Sequence, residues 1–293
     1  MSSFGGTRLV NVRGIDYCVR LTPPVRRSRH PVVLIHGFAG SSEDWAEVAA
    51  RLDRDGWPVI AIDLPGHGGT EAPHLAQRFT LEDTILDLRF ILTALHVVLA
   101  HWVGYSMGGR IALGEAIRHG GRMVSLTLES TSPGIESAEE RAERRRSDLA
   151  LARDIESRGV AWFADYWTSQ PMFATQRALP TPVREAQRAR RLQNHAAGLT
   201  GSLRGVGQGV QPYLGYHLQE VASRTLILSG GLDPKYGSLG AQMAAALPLA
   251  SHVIVPGAGH NIHLEQPEAF AAALLGHLDR AEGTPSATPR AST

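Results

Sequence analysis

The stretch Trp102-Val103-Gly104-Tyr105-Ser106-Met107-Gly108-Gly109 sets a serine between glycines two positions to either side, after an apolar strand-like run and before a helix-like one. A strand-to-helix turn tight enough to need glycine on both flanks leaves those positions no room for side chains, and it pushes the serine hydroxyl out onto a strained bend. The helix that begins at Met107 adds free N–H groups and the positive end of its dipole beside that hydroxyl. The pattern predicts a nucleophile next to a place where negative charge can develop. A glycine-rich turn that happens to hold a serine is the alternative for the motif taken alone, so the rest of the chain has to decide.

In the architecture that uses such an elbow, an acid and then a histidine follow the serine, each on a loop after a later strand. Thr225-Leu226-Ile227-Leu228-Ser229-Gly230-Gly231-Leu232-Asp233 is a β-rich run ending in a glycine loop that delivers Asp233 as the acid. His252-Val253-Ile254-Val255-Pro256-Gly257-Ala258-Gly259-His260 repeats the pattern and delivers His260 as the base. Upstream, Val32-Val33-Leu34-Ile35 runs into His36-Gly37-Phe38-Ala39-Gly40, the position from which a second backbone N–H reaches an oxyanion. The oxyanion hole is therefore assigned to the N–H groups of Phe38 and Met107. Four signals in this order predict an α/β-hydrolase fold, with a mostly parallel central sheet flanked by helices and a Ser106-His260-Asp233 triad.

Composition agrees. A chain of 293 residues suits one such domain with an insertion, and 29 basic against 28 acidic residues, net +1, give no global case for nucleic acid or an anionic membrane. Cys18 is the only cysteine, which excludes an intrachain disulfide and a zinc-cysteine site and fits a reducing cytoplasm. The N-terminus lacks a signal-peptide apolar core, and the most apolar long stretch, Ile91 to Val103, is interrupted by His96 and His101. A soluble cytoplasmic protein without membrane insertion is expected.

Leu9 to Arg20 reads as a hairpin turning at Gly14, an antiparallel sheet edge ended by Pro23 and Pro24. A helix capped by Ser41 or Ser42 should run to about Asp55, and Thr80-Leu81-Glu82-Asp83 resembles a capping-box start. After a strand from Val124 to Glu129 the β/α rhythm stops, and helical periodicity with many arginines continues until the pattern resumes at Thr225. The expected organisation is a hydrolase core over 1–132 and 221–282, an inserted helical cap over 133–220, and a disordered tail over 283–293 rich in Thr, Ser, Pro and Ala.

Substrate class should be written in the cap. Glu136 to Leu149 is a charge-rich helix whose Glu-to-Arg pairs at four-residue spacing default to a solvated face. Arg144 differs because helical spacing aligns it with Leu151 and Ile155, an inward stripe. Arg191, in a helix from Arg184 to Asn194, and Arg110, one turn after Ser106, are further candidates. A structural salt bridge explains each alone. Convergence of all three on one pocket would indicate a substrate with several carboxylates, held by bidentate guanidinium contacts.

The elbow with Arg110, the upstream His36-Gly37-Phe38-Ala39-Gly40-Ser41-Ser42-Glu43-Asp44-Trp45 and the run Glu129-Ser130-Thr131-Ser132-Pro133-Gly134 together resemble the MenH family, the synthases of succinyl-hydroxycyclohexadiene-carboxylate in menaquinone biosynthesis. The likeness continues through Phe163-Ala164-Asp165-Tyr166-Trp167, Pro171 to Gln176, Ser202 to Gly207, Asp233-Pro234-Lys235-Tyr236 and Gly259 to Pro267. The cap motifs are the specific part of it. Gly215-Tyr216 departs from the pattern where tryptophan is expected, which bears on local cap packing. The resemblance implies a lyase that eliminates pyruvate from a succinyl-enolpyruvyl-hydroxycyclohexene-carboxylate, with no cofactor and no metal. It implies that the triad acts as base, that Arg110, Arg144 and Arg191 hold the three carboxylates, and that Tyr105 and Trp167 line the pocket.

Two other readings share these features. A serine hydrolase of esters, or of carbon–carbon bonds in ring-fission products, would have the same triad and cap, with only the arginines against it. A non-enzymatic small-molecule receptor on this fold could also keep the triad. A metal site written from His260, His263 and Glu265 is weaker, because His260 is already committed and a packed histidine accounts for His263.

Overall fold

The computed structural model describes residues 4–23 and 29–283, so the tail expected to be disordered lies, apart from Gly283, outside the described residues, as does Pro24. Among the described residues, eight strands form one sheet: β1 (Gly6–Val12), β2 (Ile15–Leu21), β3 (Val32–Ile35), β4 (Val59–Ile62), β5 (Ala100–Tyr105), β6 (Met123–Glu129), β7 (Arg224–Gly230) and β8 (Ala250–Val255), in the spatial order β1-β2-β4-β3-β5-β6-β7-β8. The first two strands are the antiparallel edge; β4 through β8 pair in parallel. Arg13 (φ 51°) and Gly14 (φ 80°) make the hairpin turn, two left-handed residues of the kind whose twist matches the flanking strands.

Alternation along the central strands sends side chains into two cores. Val33 and Ile35 of β3 point into the layer under α2 (Leu81–Ala94) and α3 (Met107–His119), whereas Val32 and Leu34 point toward α1 (Ala46–Arg54) and the C-terminal helix. Both faces are covered, so β3, β4 and β5 are buried throughout. Both helix starts are capped, the second by a single bond where a capping box was expected. Ser41 and Asp44 form a capping box ahead of the short 3-10 turn Ser42–Trp45 that leads into α1, and Thr80 caps α2 through the N–H of Asp83.

Between β6 and β7 the described chain contains helices and no strand: α4 (Ala138–Thr168), bent at Gly159 (φ 82°), then α5 (Thr181–Leu192) and α6 (Ala196–Gly205). Their apolar faces make a third cluster, with Ala152, Ile155 and Phe163 of α4 against Leu199 and Leu203 of α6, and Phe38 of the core packs on it. Tyr216, at the departure from the family pattern, is 72 % exposed and meets only Tyr213 edge to face among the described ring contacts. The interior cap packing therefore does not use it. The remaining helices are α7 (Pro234–Ala246), α8 (Ile262–Glu265) and α9 (Pro267–Glu282), and among the described residues no helix is long and apolar enough to cross a membrane.

Glu115 of α3 is buried, and its Oε2 has no partner; loss of water pushes its carboxyl up to about 8. The folded chain then holds a proton that the unfolded chain releases from near pH 4.5, so this group lowers stability as pH rises through that interval. Glu115→Gln should melt progressively higher than the native protein as pH is raised, by a margin on the order of 2–4 kcal/mol above pH 8 and near zero below pH 5. Melting curves of both proteins across that range check it; a constant offset would mean that Glu115 does not titrate upward.

Candidate active site

Ser106 sits between β5 and α3 at φ 50°, ψ −106°, outside the regions ordinary residues adopt. The helix starts so close to the sheet that a Cβ on Gly104 would run into the Gly108 carbonyl, and one on Gly108 into the carbonyl of Ile35. Glycine is required at both places by contact. The bend is held by the Ser106 N–H, which donates to the Glu129 carbonyl at 2.9 Å, and by the Thr131 hydroxyl, which donates to the Ser106 carbonyl at 2.7 Å.

The loops after β7 and β8 bring the acid and the histidine to this bend. Nε2 of His260 lies 3.2 Å from Ser106 Oγ, and Nδ1 lies 2.8 Å from Asp233 Oδ2. The other Asp233 oxygen accepts the Tyr236 N–H at 3.3 Å, which caps α7 and fixes the carboxylate. The N–H groups of Phe38 and Met107, the pair expected to form the oxyanion hole, donate to no acceptor among the described hydrogen bonds. His36 braces the Phe38 loop: its Nε2 accepts the Leu64 N–H at 3.0 Å, so Nδ1 carries the proton toward the Gly37 carbonyl at 2.7 Å, and burial keeps the ring neutral by lowering its pKa.

Glu265 is spent on the histidine loop. Its carboxylate accepts the N–H groups of Gly259 at 2.7 Å and Asn261 at 3.2 Å. His263 is packed, as the alternative to a ligand role required; it stacks on Trp45 at 4.1 Å, while both its backbone N–H and its Nδ1 meet the buried Glu129 carboxylate, at 3.0 and 2.7 Å.

A cavity of about 320 Å³ opens over Ser106, with Phe38, Met107, Trp167 and Asp233 in its walls. Arg110 and Arg144 both line it. Arg110 is buried and its hydrogen-bond partners are neutral, Gln211 Oε1 at 2.6 Å and the Val206 carbonyl at 2.9 Å; no carboxylate pairs with it among the described residues. Burial lowers its pKa to about 10, and Arg144 pushes in the same direction, yet it stays cationic at neutral pH. Arg144 is partly exposed, bonded to Asp148 at 2.8 Å and to Gln208 at 2.9 Å.

Arg191 and Tyr105 are placed elsewhere than the one-pocket expectation had them. They line a small cavity of about 20 Å³ that shares Phe38 and Trp167 with the larger one. These two rings meet edge to face at 5.2 Å and form the partition, while Arg191 donates to Thr168 Oγ1 at 2.5 Å and lies over the Phe173 ring. Among the cavity's other lining residues, sequence reasoning missed the polar ones Lys235, Tyr236 and Gln208 as well as Ser202. Lys235 and Tyr236 could have been found from the first turn of the helix that Asp233 caps.

A family profile described as alpha/beta hydrolase fold matches residues 30–267. The chain is 35 % identical over 249 residues to the 2-succinyl-6-hydroxy-2,4-cyclohexadiene-1-carboxylate synthase of Serratia proteamaculans, covering 84 % of this chain and 92 % of the relative. It is 36 % identical over 245 residues to the protein of the same name from Escherichia coli O139:H28, covering 83 % and 91 %. The structure of MenH from S. aureus superposes with a TM-score of 0.86 at 31 % identity, over 90 % of this chain and 98 % of that one.

A buried guanidinium with only neutral partners should take a carboxylate from solution. At matched ionic strength, citrate should raise the melting temperature of the native protein above that in chloride, and Arg110→Met should lose most of the rise. Equal stabilisation of the two would show that the Arg110 charge is not what the cavity offers an anion.

Proposed function

The chain belongs to the alpha/beta-hydrolase-fold family of 2-succinyl-6-hydroxy-2,4-cyclohexadiene-1-carboxylate synthases, and on that premise we propose that it eliminates pyruvate from 2-succinyl-5-enolpyruvyl-6-hydroxy-3-cyclohexene-1-carboxylate, as a carbon–oxygen lyase of menaquinone biosynthesis. The observation that carries this reading beyond the fold is Arg110, a buried cation with no carboxylate bonded to it among the described residues, which lines with Arg144 the cavity over Ser106. A neutral ester gives no reason for such a pair. A substrate with three carboxylates does.

In this reading Ser106 is a base. As its hydroxyl proton passes to Nε2 of His260, its oxygen takes the proton next to the succinyl ketone; Asp233 steadies the imidazolium that forms. The electrons move into the ketone oxygen, which the Phe38 and Met107 N–H groups stabilise. They then return through the ring, the bond from the ring carbon to the enolpyruvyl oxygen breaks, and the enolpyruvate takes up a proton to become pyruvate. Arg110 and Arg144, with Lys235 beside them, are assigned to carboxylates. Arg191 and Tyr105 are assigned to a third, reached when the Phe38–Trp167 partition opens. Residues 133–220 act as the cap, 1–132 and 221–282 as the core, and the cytoplasm is the compartment.

Incubation with the pathway intermediate should release pyruvate, and Ser106→Ala and His260→Ala should each lower turnover by several orders of magnitude with melting curves unchanged. Asp233→Asn should be severe as well, since an amide can hold the wrong tautomer. Near-normal release by a folded triad variant would exclude the mechanism. Arg144→Ala should cost about 2–5 kcal/mol of transition-state binding on the anionic intermediate while leaving any cleavage of a neutral aryl ester. If both activities fell together in a stable protein, Arg144 would not be selecting carboxylates; a wild type that cleaved neutral esters and made no pyruvate would be a serine hydrolase.

A further inference from the structure

At the end of the sheet remote from Ser106, the structure gathers two imidazoles and a carboxylate from three distant parts of the chain. His30 precedes β3, His101 stands at the start of β5, and Glu282 is the last residue of α9. Among the described residues they are the one group of three or more metal-ligating side chains whose ligand atoms all lie within 4.8 Å of one another. We infer that His30, His101 and Glu282 bind a divalent transition-metal ion of the zinc class, which links the end of α9 to the sheet. The inference is independent of the reading given to Ser106.

The spacing suits such an ion. Nδ1 of His30 lies 3.0 Å and Nε2 of His101 3.2 Å from the same Glu282 oxygen. Ligands about 2.0–2.2 Å from a tetrahedral zinc stand roughly 3.3 Å apart, so the two nitrogen–oxygen edges need to widen only by tenths of an ångström. Two imidazoles and a carboxylate, with water in the fourth position, is a zinc donor set, and magnesium or calcium would prefer oxygen alone. His101 is ready as a ligand. Its ring is buried and held neutral, and Ser125 Oγ, 2.8 Å from Nδ1, can accept the proton there and leave the Nε2 lone pair facing Glu282. His30 and Glu282 are partly exposed and give the ion a way in. The adjacent cation, Arg29, is engaged by Asp279 at 3.0 Å and by the face of Trp57.

Proton balance is simple. A proton that a ring places toward Glu282 moves to that ring's other nitrogen, and the metal takes the vacated lone pair. His101 is near the start of β5 and Ser106 directly follows its end, five residues on and roughly 16 Å away at about 3.3 Å per residue, so the ion would not touch the reacting atoms.

The test uses the untagged full chain, stripped of metal by dialysis and then titrated with zinc sulfate. Equilibrium dialysis should give one zinc per chain. The melting temperature should rise by about 5 °C once free zinc exceeds its dissociation constant a hundredfold. Cobalt(II) in place of zinc should develop the visible bands of a tetrahedral site. Glu282→Gln and His30→Gln, at partly exposed positions that should leave the fold intact, are each expected to lose the stoichiometric zinc, the thermal shift and the cobalt spectrum, with pyruvate release unchanged. Failure of the native protein to retain zinc overturns the assignment, and so does zinc binding of equal strength in both variants.

Discussion

Glu129 holds the site together with its two ends. Its backbone carbonyl accepts the N–H of Ser106, and its carboxylate, fully buried at the end of β6, accepts the N–H and ring of His263 three residues beyond His260. A carboxylate removed from water is tolerable only when its lone pairs are met, and here both oxygens are. The strand that fixes the nucleophile bend therefore also fixes the histidine loop, across 134 residues of sequence. Trp45 stacks on His263 from the other side, and Glu265 ties down the loop's own N–H groups, so His260 is presented to Ser106 by a rigid surround.

Electrostatics separates the arginines of the cavity from those of the surface. Arg188 with Asp165, and Arg204 with Glu156, are exposed two-point ion pairs of the kind that contribute little. Arg78 is buried but meets the buried Asp87. Arg110 has the burial without the carboxylate, and its neighbour Arg144 raises the local positive potential further. Asp148 meets Arg144 at 2.8 Å and acts on Arg110 only at longer range, so Arg110 is the cavity arginine whose charge no carboxylate meets directly.

What the sequence made legible follows the range of the interactions concerned. The elbow, the hairpin turn and the strand-then-loop patterns that deliver Asp233 and His260 are local, governed by glycine stereochemistry and period-two burial, and they appear where expected within a residue or two. Helical spacing also put Arg144 on the stripe with Leu151 and Ile155, and the structure has it partly inward over the cavity. Spacing could not say on which side of the Phe38–Trp167 partition Arg191 would fall, because that depends on how α5 docks against the core. The Glu129–His263 bond and the meeting of His30, His101 and Glu282 were equally out of reach, since each joins segments that only the completed sheet brings together.

The backbone angle at Ser106 has an evolutionary reading. An L-residue held at φ 50°, ψ −106° carries strain of about 1–3 kcal/mol, and glycine would relieve much of it. At this position selection for a stable fold and selection for chemistry therefore pull in opposite directions. A lineage that no longer needed the reaction would gain stability from losing the hydroxyl, and glycine or another strain-relieving residue would be expected at this bend in descendants that keep the fold but not the activity.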